Sequence, residues 1–285
     1  MSNWPLKAVC VSPALVSSTA LVTFVGGPAL PVWAGNALFC AGLLIVGALL
    51  VGVGEPTAVR LLFAARKLDG VERTALAPVV TELCHFELGP PLVTLLVSRR
   101  HGLSAAAIAQ GRRTIVLSPE LVHAIVTRRM PPAEAIAVVA HACLVARSGL
   151  NRQNPAIAFW STPWRMLSWL VRPLGPLVGF AWRIRVIVAG VAIWQSATTV
   201  PATRGAVTGG AVAILLALTY LLPRWSTSWE RLVAGTGDRE LIPLGLAPGM
   251  ISFLRRCPQT MAVIERLQLL DRPAIETPRL RLVGS

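Results

Sequence analysis

The chain has 285 residues, of which 54% are hydrophobic and only 14% are charged, and its mean hydropathy is +0.63. An average soluble protein carries about 25% charged residues, so this composition disfavours a purely soluble enzyme. The formal net charge of +14 comes almost wholly from arginine. Because these arginines are scattered or flank apolar runs, without interleaved stacking aromatics, we expect no nucleic-acid partner. The five widely spaced cysteines form no CxxC metal motif and no disulfide framework.

Residues 1–54 are predicted to form a transmembrane hairpin. The 47 residues from Ala8 to Gly54 contain no charge, about twice the ~20 residues that one span needs. We expect spans near 11–32 and 37–53, joined by a turn at Ala34, Gly35 and Asn36. A signal-peptidase site at Val32-Trp33-Ala34 is an alternative interpretation. Positive residues on both flanks predict that both ends of the hairpin lie in the cytoplasm.

A second pair of spans is predicted over 186–203 and 205–223, again with arginines on both flanks. Before it, residues 156–185 alternate tryptophan with arginine, which is typical of a segment at the headgroup level, although a tryptophan-rich packing helix fits equally well. The chain is therefore expected to be a multi-pass protein of a bacterial inner (cytoplasmic) membrane. The predicted parts are a transmembrane hairpin (1–54), a cytoplasmic domain (55–185), a second transmembrane pair (186–223) and a C-terminal helical part of the cytoplasmic domain (224–285).

The cytoplasmic domain is predicted to combine helices with a small β hairpin or sheet. Helical periodicity over 55–89 precedes a β-rich run over 92–98, and 104–110 with 113–117 reads as a hairpin turning at Gly111 and Arg112. Ser118-Pro119-Glu120 has the hydroxyl, proline and acid of a helix start. That helix is expected to end near Arg129, and a buried helix that contains His141 is expected from about Ala133.

Residues 104–147 also carry an extended motif. It reads Ala106-Ala107-Ile108-Ala109-Gln110-Gly111, then a strand ending at Ser118, then Glu134-Ala135-Ile136-Ala137-Val138-Val139-Ala140-His141. This order resembles the core of the HtpX-like and CAAX-prenyl-protease-related zinc metallopeptidases of the gluzincin type. Their pattern is N-A-F-A-x-G, a strand, a capped helix and E-x-x-A-V-x-A-H-E-x-x-H. After the last predicted span, Ser226 to Ala234 is similar to the family's S-R-x-x-E-x-x-A-D segment. The resemblance implies four transmembrane helices with a cytoplasmic gluzincin-like α+β domain.

The resemblance also implies a damaged metal site. In H-E-x-x-H two histidines bind Zn²⁺ and the glutamate acts as general base, but the chain reads His141-Ala142-Cys143-Leu144-Val145. His141 and Glu230 would be vestigial metal ligands, Val145 stands at the second-ligand position and Ala142 at the general-base position. Ala234 stands where the family has a supporting aspartate. We therefore expect no catalytic residue and no cofactor, with zinc bound only if the site has been rebuilt.

Three other groups have side chains that can bind a metal. Cys143 is two residues from His141, so the two side chains point to different sides of one helix. His123 on the preceding helix would have to approach His141 in space. Glu82 and His85 have the i, i+3 spacing of carboxylate-bridged metal helices, but no second such motif accompanies them.

These features predict a membrane-embedded pseudopeptidase that binds without cleaving. The expected binding groove runs beside an edge strand at Ser104, Ala106 and Ile108, where an extended segment of a membrane protein or peptide partner adds a strand. An active zinc-dependent membrane endopeptidase with a rearranged site, acting in membrane-protein quality control, is the alternative. A sensor resembling the BlaR/MecR-type receptors is a third hypothesis, although the chain contains no extracellular sensor domain.

Overall fold

The computed structural model describes residues 4–20, 22, 31–89, 93–100, 106–171, 194 and 225–271. These residues are mainly helical, with a small mixed sheet of four strands, so the fold class is confirmed at that level. The chain divides into two compact units, one of Met1–Leu44 with Trp160–Glu230 and one of Ile45–Phe159 with Arg231–Ser285. The two later predicted spans lie outside the described residues, apart from Trp194.

The first unit contains the helix α1 (Trp4–Ala20), the start of α2 (Val32–Val51), and α8 (Thr162–Val171). Trp160 links α1 and α2, because its Nε1 donates to Thr19 Oγ1 at 2.9 Å and its ring lies edge-on to Phe39 with centroids 5.7 Å apart. By length and composition alone, α2 is the one described helix that could cross a membrane. Three further spans therefore remain predictions.

The turn expected at Ala34–Asn36 is wrong, because these residues lie inside α2. The backbone N–H groups of Ala34 and Gly35 both donate to Pro31 O, at 2.9 and 3.0 Å. Proline fits the start of a helix because it has no N–H to satisfy. α2 therefore begins at Val32, directly after Pro31, and Gly35 is tolerated inside it.

The second unit is built around a sheet of β1 (Ala65–Lys67), β2 (Thr94–Ser98), β3 (Ala107–Ala109) and β4 (Thr114–Leu117), in the order β1-β2-β4-β3. β2 and β4 are parallel, and the two outer pairs are antiparallel. The predicted hairpin of β3 and β4 is confirmed, including its turn at Gly111, whose φ of +107° favours glycine. β1 falls in a stretch expected to be helical. A strand of three residues is defined by its pairing with β2 and leaves no periodicity to detect.

The second unit also contains all or part of the remaining described helices. They are α3 (Glu55–Leu62), α4 (Gly70–His85), α5 (Pro119–Val126), α6 (Pro132–Arg147), α7 (Asn154–Trp160), α9 (225–241), α10 (Ala247–Arg256) and α11 (Met261–Leu270). Ser118 caps α5 as expected, because its hydroxyl accepts from Leu121 N–H, but α5 ends at Val126 rather than near Arg129. The core is formed by α6, which packs against α4, α5, α10 and the β3–β4 hairpin.

Candidate functional site

The helix α6 carries the motif His141-Ala142-Cys143-Leu144-Val145 through the core. Every residue of this motif except His141 is buried, and 14% of the His141 side chain remains exposed. Burial raises the pKa of the Cys143 thiol to about 12. Cys143 therefore remains a thiol near neutral pH, and since the thiolate is the reactive form, it acts as a packing residue rather than a nucleophile.

His141 meets a charged network contributed by two other helices. Its Nε2 lies 3.3 Å from Asp238 Oδ1 and 3.1 Å from the carbonyl oxygen of Ala234, both on α9. Arg266 Nη2 of α11 lies 3.3 Å from the same nitrogen. Because Asp238 and Ala234 both offer oxygen acceptors, they favour the histidine tautomer with its proton on Nε2.

The strongest link in this network joins Asp238 to Arg266. Arg266 donates from Nε to Asp238 Oδ2 and from Nη2 to Oδ1, each at 2.7 Å. Asp238 is fully buried, and 24% of the Arg266 side chain is exposed. Burial alone would raise the pKa of the Asp238 carboxyl, but hydrogen bonds and charge from Arg266 and His141 outweigh it and hold that pKa below its ordinary value. Asp238 is therefore a carboxylate at neutral pH.

The residues around His141 do not fit a zinc ion. A zinc bound to Nε2 would lie about 2.0–2.1 Å from that nitrogen, within the shell that the Ala234 carbonyl, the Asp238 carboxylate and the Arg266 guanidinium already fill. The backbone of Gly237 closes the same side, since a Cβ built there would lie 2.6 Å from His141 Nε2. Within the described ranges no group of three or more His, Cys, Asp or Glu side chains could hold a metal.

Glu230, the other expected ligand, lies four residues before Ala234 on α9 and is exposed. The histidine contacts come instead from Ala234 and Asp238. Neither Asp238 nor Arg266 belongs to the metal site inferred from the sequence. The available signal was the position of Asp238 directly after the largely small and apolar run Leu232 to Gly237, because a buried carboxylate requires a cation to pair with.

The other expected candidates have separate environments. His123 is exposed on α5 and lines an open cavity of about 460 Å³. Arg66 of β1, with Asp69 and Glu72 at the start of α4, lines the same cavity. The Glu82–His85 pair spans 3.6 Å, and 46% of the Glu82 side chain and 72% of the His85 side chain are exposed, as is typical of a solvated helix face.

Glu134, the acid at the start of the expected motif, has a structural role. Its buried carboxylate accepts from Ser252 Oγ at 2.6 Å and forms an ion pair with Arg256, which ties α6 to α10. Glu134 is thereby held at the α10 side of the unit, by partners other than those that hold His141.

The expected peptide-binding strand is at a sheet edge. Gln110 N–H donates to Thr114 O and Ser118 N–H donates to Ala106 O, so the even-numbered residues of β3 turn their backbone groups toward β4. The outward backbone groups belong to Ala107 and Ala109, and Asn151 Nδ2 already donates to Ala109 O at 3.1 Å. Of the expected residues, Ala106 and Ile108 thus face β4 with their backbone, and Ser104 lies outside the described residues.

No protein-family model matches this sequence, and comparisons with curated proteins and with solved structures found no significant match. The family resemblance therefore remains a prediction, carried by the motif residues.

Proposed function

We propose that this protein is a membrane-anchored pseudopeptidase whose cytoplasmic domain binds an extended segment of a protein partner without cleaving it. One observation carries the proposal: the place beside His141 where a metallopeptidase would hold zinc is filled by Asp238 and Arg266. The guanidinium supplies the positive charge there. With Ala142 at the general-base position and Val145 at the second-ligand position, the site has neither a metal-bound water nor a base to activate it.

The contacts of α9 favour a motif register four residues later than the one inferred from sequence. In that register Ala234 takes the position of the family's ligand glutamate, and Gly237-Asp238 takes the position of its A-D pair. The carbonyl of Ala234 and the carboxylate of Asp238 both reach His141, which supports this alignment. Two of the family's three ligand positions then hold apolar residues, Val145 and Ala234. The supporting aspartate is retained as Asp238.

The β3 edge supplies the binding surface in this proposal. Within the described chain no hydrogen-bond partner occupies the outward backbone groups of Ala107. An added strand would pair there, as in β-augmentation, and Asn151 limits its length by covering the Ala109 end. The preferred partner is therefore an unfolded or extended segment rather than a folded surface.

The test uses the full chain, purified in detergent, with β-casein as an unfolded probe. Metal analysis should give far less than one zinc per chain in the wild type and in His141→Ala, and β-casein should stay intact. Hydrogen exchange should show that β-casein protects the amides of Ala107 and Ala109, while the opposite sheet edge at Lys67 is the internal control. About one zinc per chain that His141→Ala removes, together with cleaved casein, would overturn the proposal in favour of an active endopeptidase.

A further inference from the structure

The link between α2 and α3 is a tight turn. Gly52 and Gly54 have φ values of +98° and +72°, which glycine adopts without the penalty that a side chain brings. Exposed Val51 and Val53 flank Gly52, with 68% and 64% of each residue accessible. The apolar character of α2 therefore continues past its last turn and onto the surface of the second unit.

The β3–β4 turn is fastened to this link by Glu55. The buried Glu55 carboxylate accepts from the backbone N–H of Arg112 at 2.9 Å, from that of Arg113 at 3.0 Å, and from Thr114 Oγ1 at 2.8 Å. Because Glu55 is the first residue of α3, these bonds hold both arginines beside the end of α2. The carboxylate is fully used by backbone and hydroxyl donors.

The Arg112 guanidinium has hydrogen-bond donors that no acceptor among the described residues occupies. Its Nη2 donates to Leu50 O at 3.1 Å, and its side chain passes over Gly52, whose missing Cβ would lie 3.5 Å from Arg112 Cδ. In the described part of the chain, Arg112 Nε is the one buried side-chain nitrogen or oxygen without a hydrogen-bond partner. A guanidinium offers five N–H donors in a planar fork that matches phosphate. The guanidinium therefore has free N–H donors, for which an anionic oxygen would be a suitable acceptor.

Further exposed arginine and apolar residues lie on the neighbouring elements. Arg113 and Arg60 are exposed, and no ion pair joins either to an acid of the described residues. Leu61, beside Arg60 on α3, is 78% exposed. We define the junction surface as Val51, Val53, Arg60, Leu61, Arg112 and Arg113. Exposed apolar side chains mixed with arginines are typical of protein that lies at the headgroup level of a bilayer.

We propose that the junction surface binds anionic phospholipid headgroups, with the Arg112 guanidinium hydrogen-bonded to a lipid phosphate and Arg60 and Arg113 adding attraction for the charged surface. The inference rests on the proposed membrane anchorage, because α2 would bring the surface to headgroup depth. Its apolar members favour lipid over a free phosphate ion. Each arginine near an anionic surface strengthens binding by about fivefold.

The test titrates the full chain, in an uncharged detergent, with phosphatidylglycerol or phosphatidylcholine and follows the Tm by tryptophan fluorescence. Phosphatidylglycerol should raise the Tm, because a ligand that binds the folded state stabilises it, and phosphatidylcholine should not. The variant Arg60→Gln/Arg113→Gln breaks no hydrogen bond of the described structure and should need about 25-fold more phosphatidylglycerol for the same rise. The matched control, Arg73→Gln/Arg129→Gln, removes the same charge from other exposed sites and should respond like the wild type.

Three outcomes would overturn the inference. An equal response of both double variants would mean that the junction arginines do not recognise the lipid. A Tm rise with inorganic phosphate equal to that with phosphatidylglycerol would assign the site to a free anion. Release of the chain from membranes by alkaline carbonate would show that the chain is not anchored in the membrane, and the inference rests on that anchorage. If the chain stays in the membrane pellet while the two double variants respond alike, the lipid inference alone fails and the proposed anchorage stands.

Discussion

Replacing Asp238 by Asn removes one charge from the centre of the three-helix network and changes almost no volume. The carboxylate is fully buried and receives two 2.7 Å bonds from Arg266 and a 3.3 Å contact from His141. Removing one partner of a buried ion pair costs about 3–5 kcal/mol, because the remaining charge stays desolvated and unpaired. Since 24% of the Arg266 side chain is exposed, water relieves part of this cost, and we expect a loss of about 2–4 kcal/mol.

The measurement is thermal unfolding of the full chain in detergent, followed by tryptophan fluorescence. At about 2–4 °C per kcal/mol for a domain of this size, Asp238→Asn should lower the Tm by about 5–15 °C. Glu240→Gln is the matched control, because Glu240 lies two residues later on α9 and is exposed. A surface change of that kind should stay within about 0.5 kcal/mol of the wild type.

A double-mutant cycle separates the ion pair from other effects of the substitution. Once Arg266 is replaced by Met, no guanidinium is left unpaired, so Asp238→Asn should cost about 1–3 kcal/mol less than it does in the wild type. If Asp238→Asn changes stability no more than Glu240→Gln does, or if the two changes add without coupling, the network does not hold the helices together.

The same network predicts how the stability of the wild type relative to Asp238→Asn changes with pH. The folded-state pKa of Asp238 lies below its ordinary value of 3.8, so its contribution is complete above the unfolded pKa and is lost as the pH falls through the folded pKa. The Tm difference between wild type and Asp238→Asn should therefore be constant near pH 6 and narrow below about pH 4. A difference that grows as the pH falls would contradict the assigned charge.

Three further predictions concern other parts of the second unit. Gly237→Ala should destabilise by about 1–3 kcal/mol through overpacking, because its Cβ would lie 2.6 Å from His141 Nε2, whereas Gly235→Ala, 4.0 Å from the nearest side chain, should not; equal Tm values for the two would contradict the packing. Glu55→Gln should speed amide exchange in the β3–β4 turn, where it weakens two backbone bonds, and unchanged exchange would count against the anchor. The Cys143 thiol should resist alkylation at pH 8 until the chain unfolds, since burial raises its pKa to about 12; labelling in the folded state would refute this.

Local signals accounted for much of the fold. The Ser118-Pro119-Glu120 start of α5 and the glycine at the β3–β4 turn were predicted because neighbouring residues determine caps and turns. The end of α5 was missed because its left-handed turn is formed by Arg128 (φ +55°), with no glycine to mark it. The strand β1 was missed because it depends on a partner distant in the chain. Ala65, for example, pairs with Ser98 of β2.

The candidate site was predictable only in part for the same reason. His141 was found from its motif, but Arg266 lies 125 residues further along the chain and no motif connects them. The position of Glu230 was inferred by counting along a pattern, and a shift of four residues keeps the same helix face while changing which residue meets His141. Helical periodicity therefore cannot separate the two registers, and the proposed one rests on the contacts that the Ala234 carbonyl and the Asp238 carboxylate make with His141.

In the proposed pseudopeptidase, the His141–Asp238–Arg266 network would take the place of a zinc site in holding the helices together. A zinc ion would join α6 to α9 through bonds from a histidine and an acid, and its charge would offset the buried carboxylate. Here Arg266 offsets the carboxylate from α11, and Asp238 accepts from both partners. In that proposal the guanidinium takes the electrostatic and cross-linking roles of a metal, but it coordinates no water and lowers no water pKa. Under the proposed function, a site of this kind would preserve the shape of the domain without hydrolysis, and that combination is what binding an extended partner intact requires.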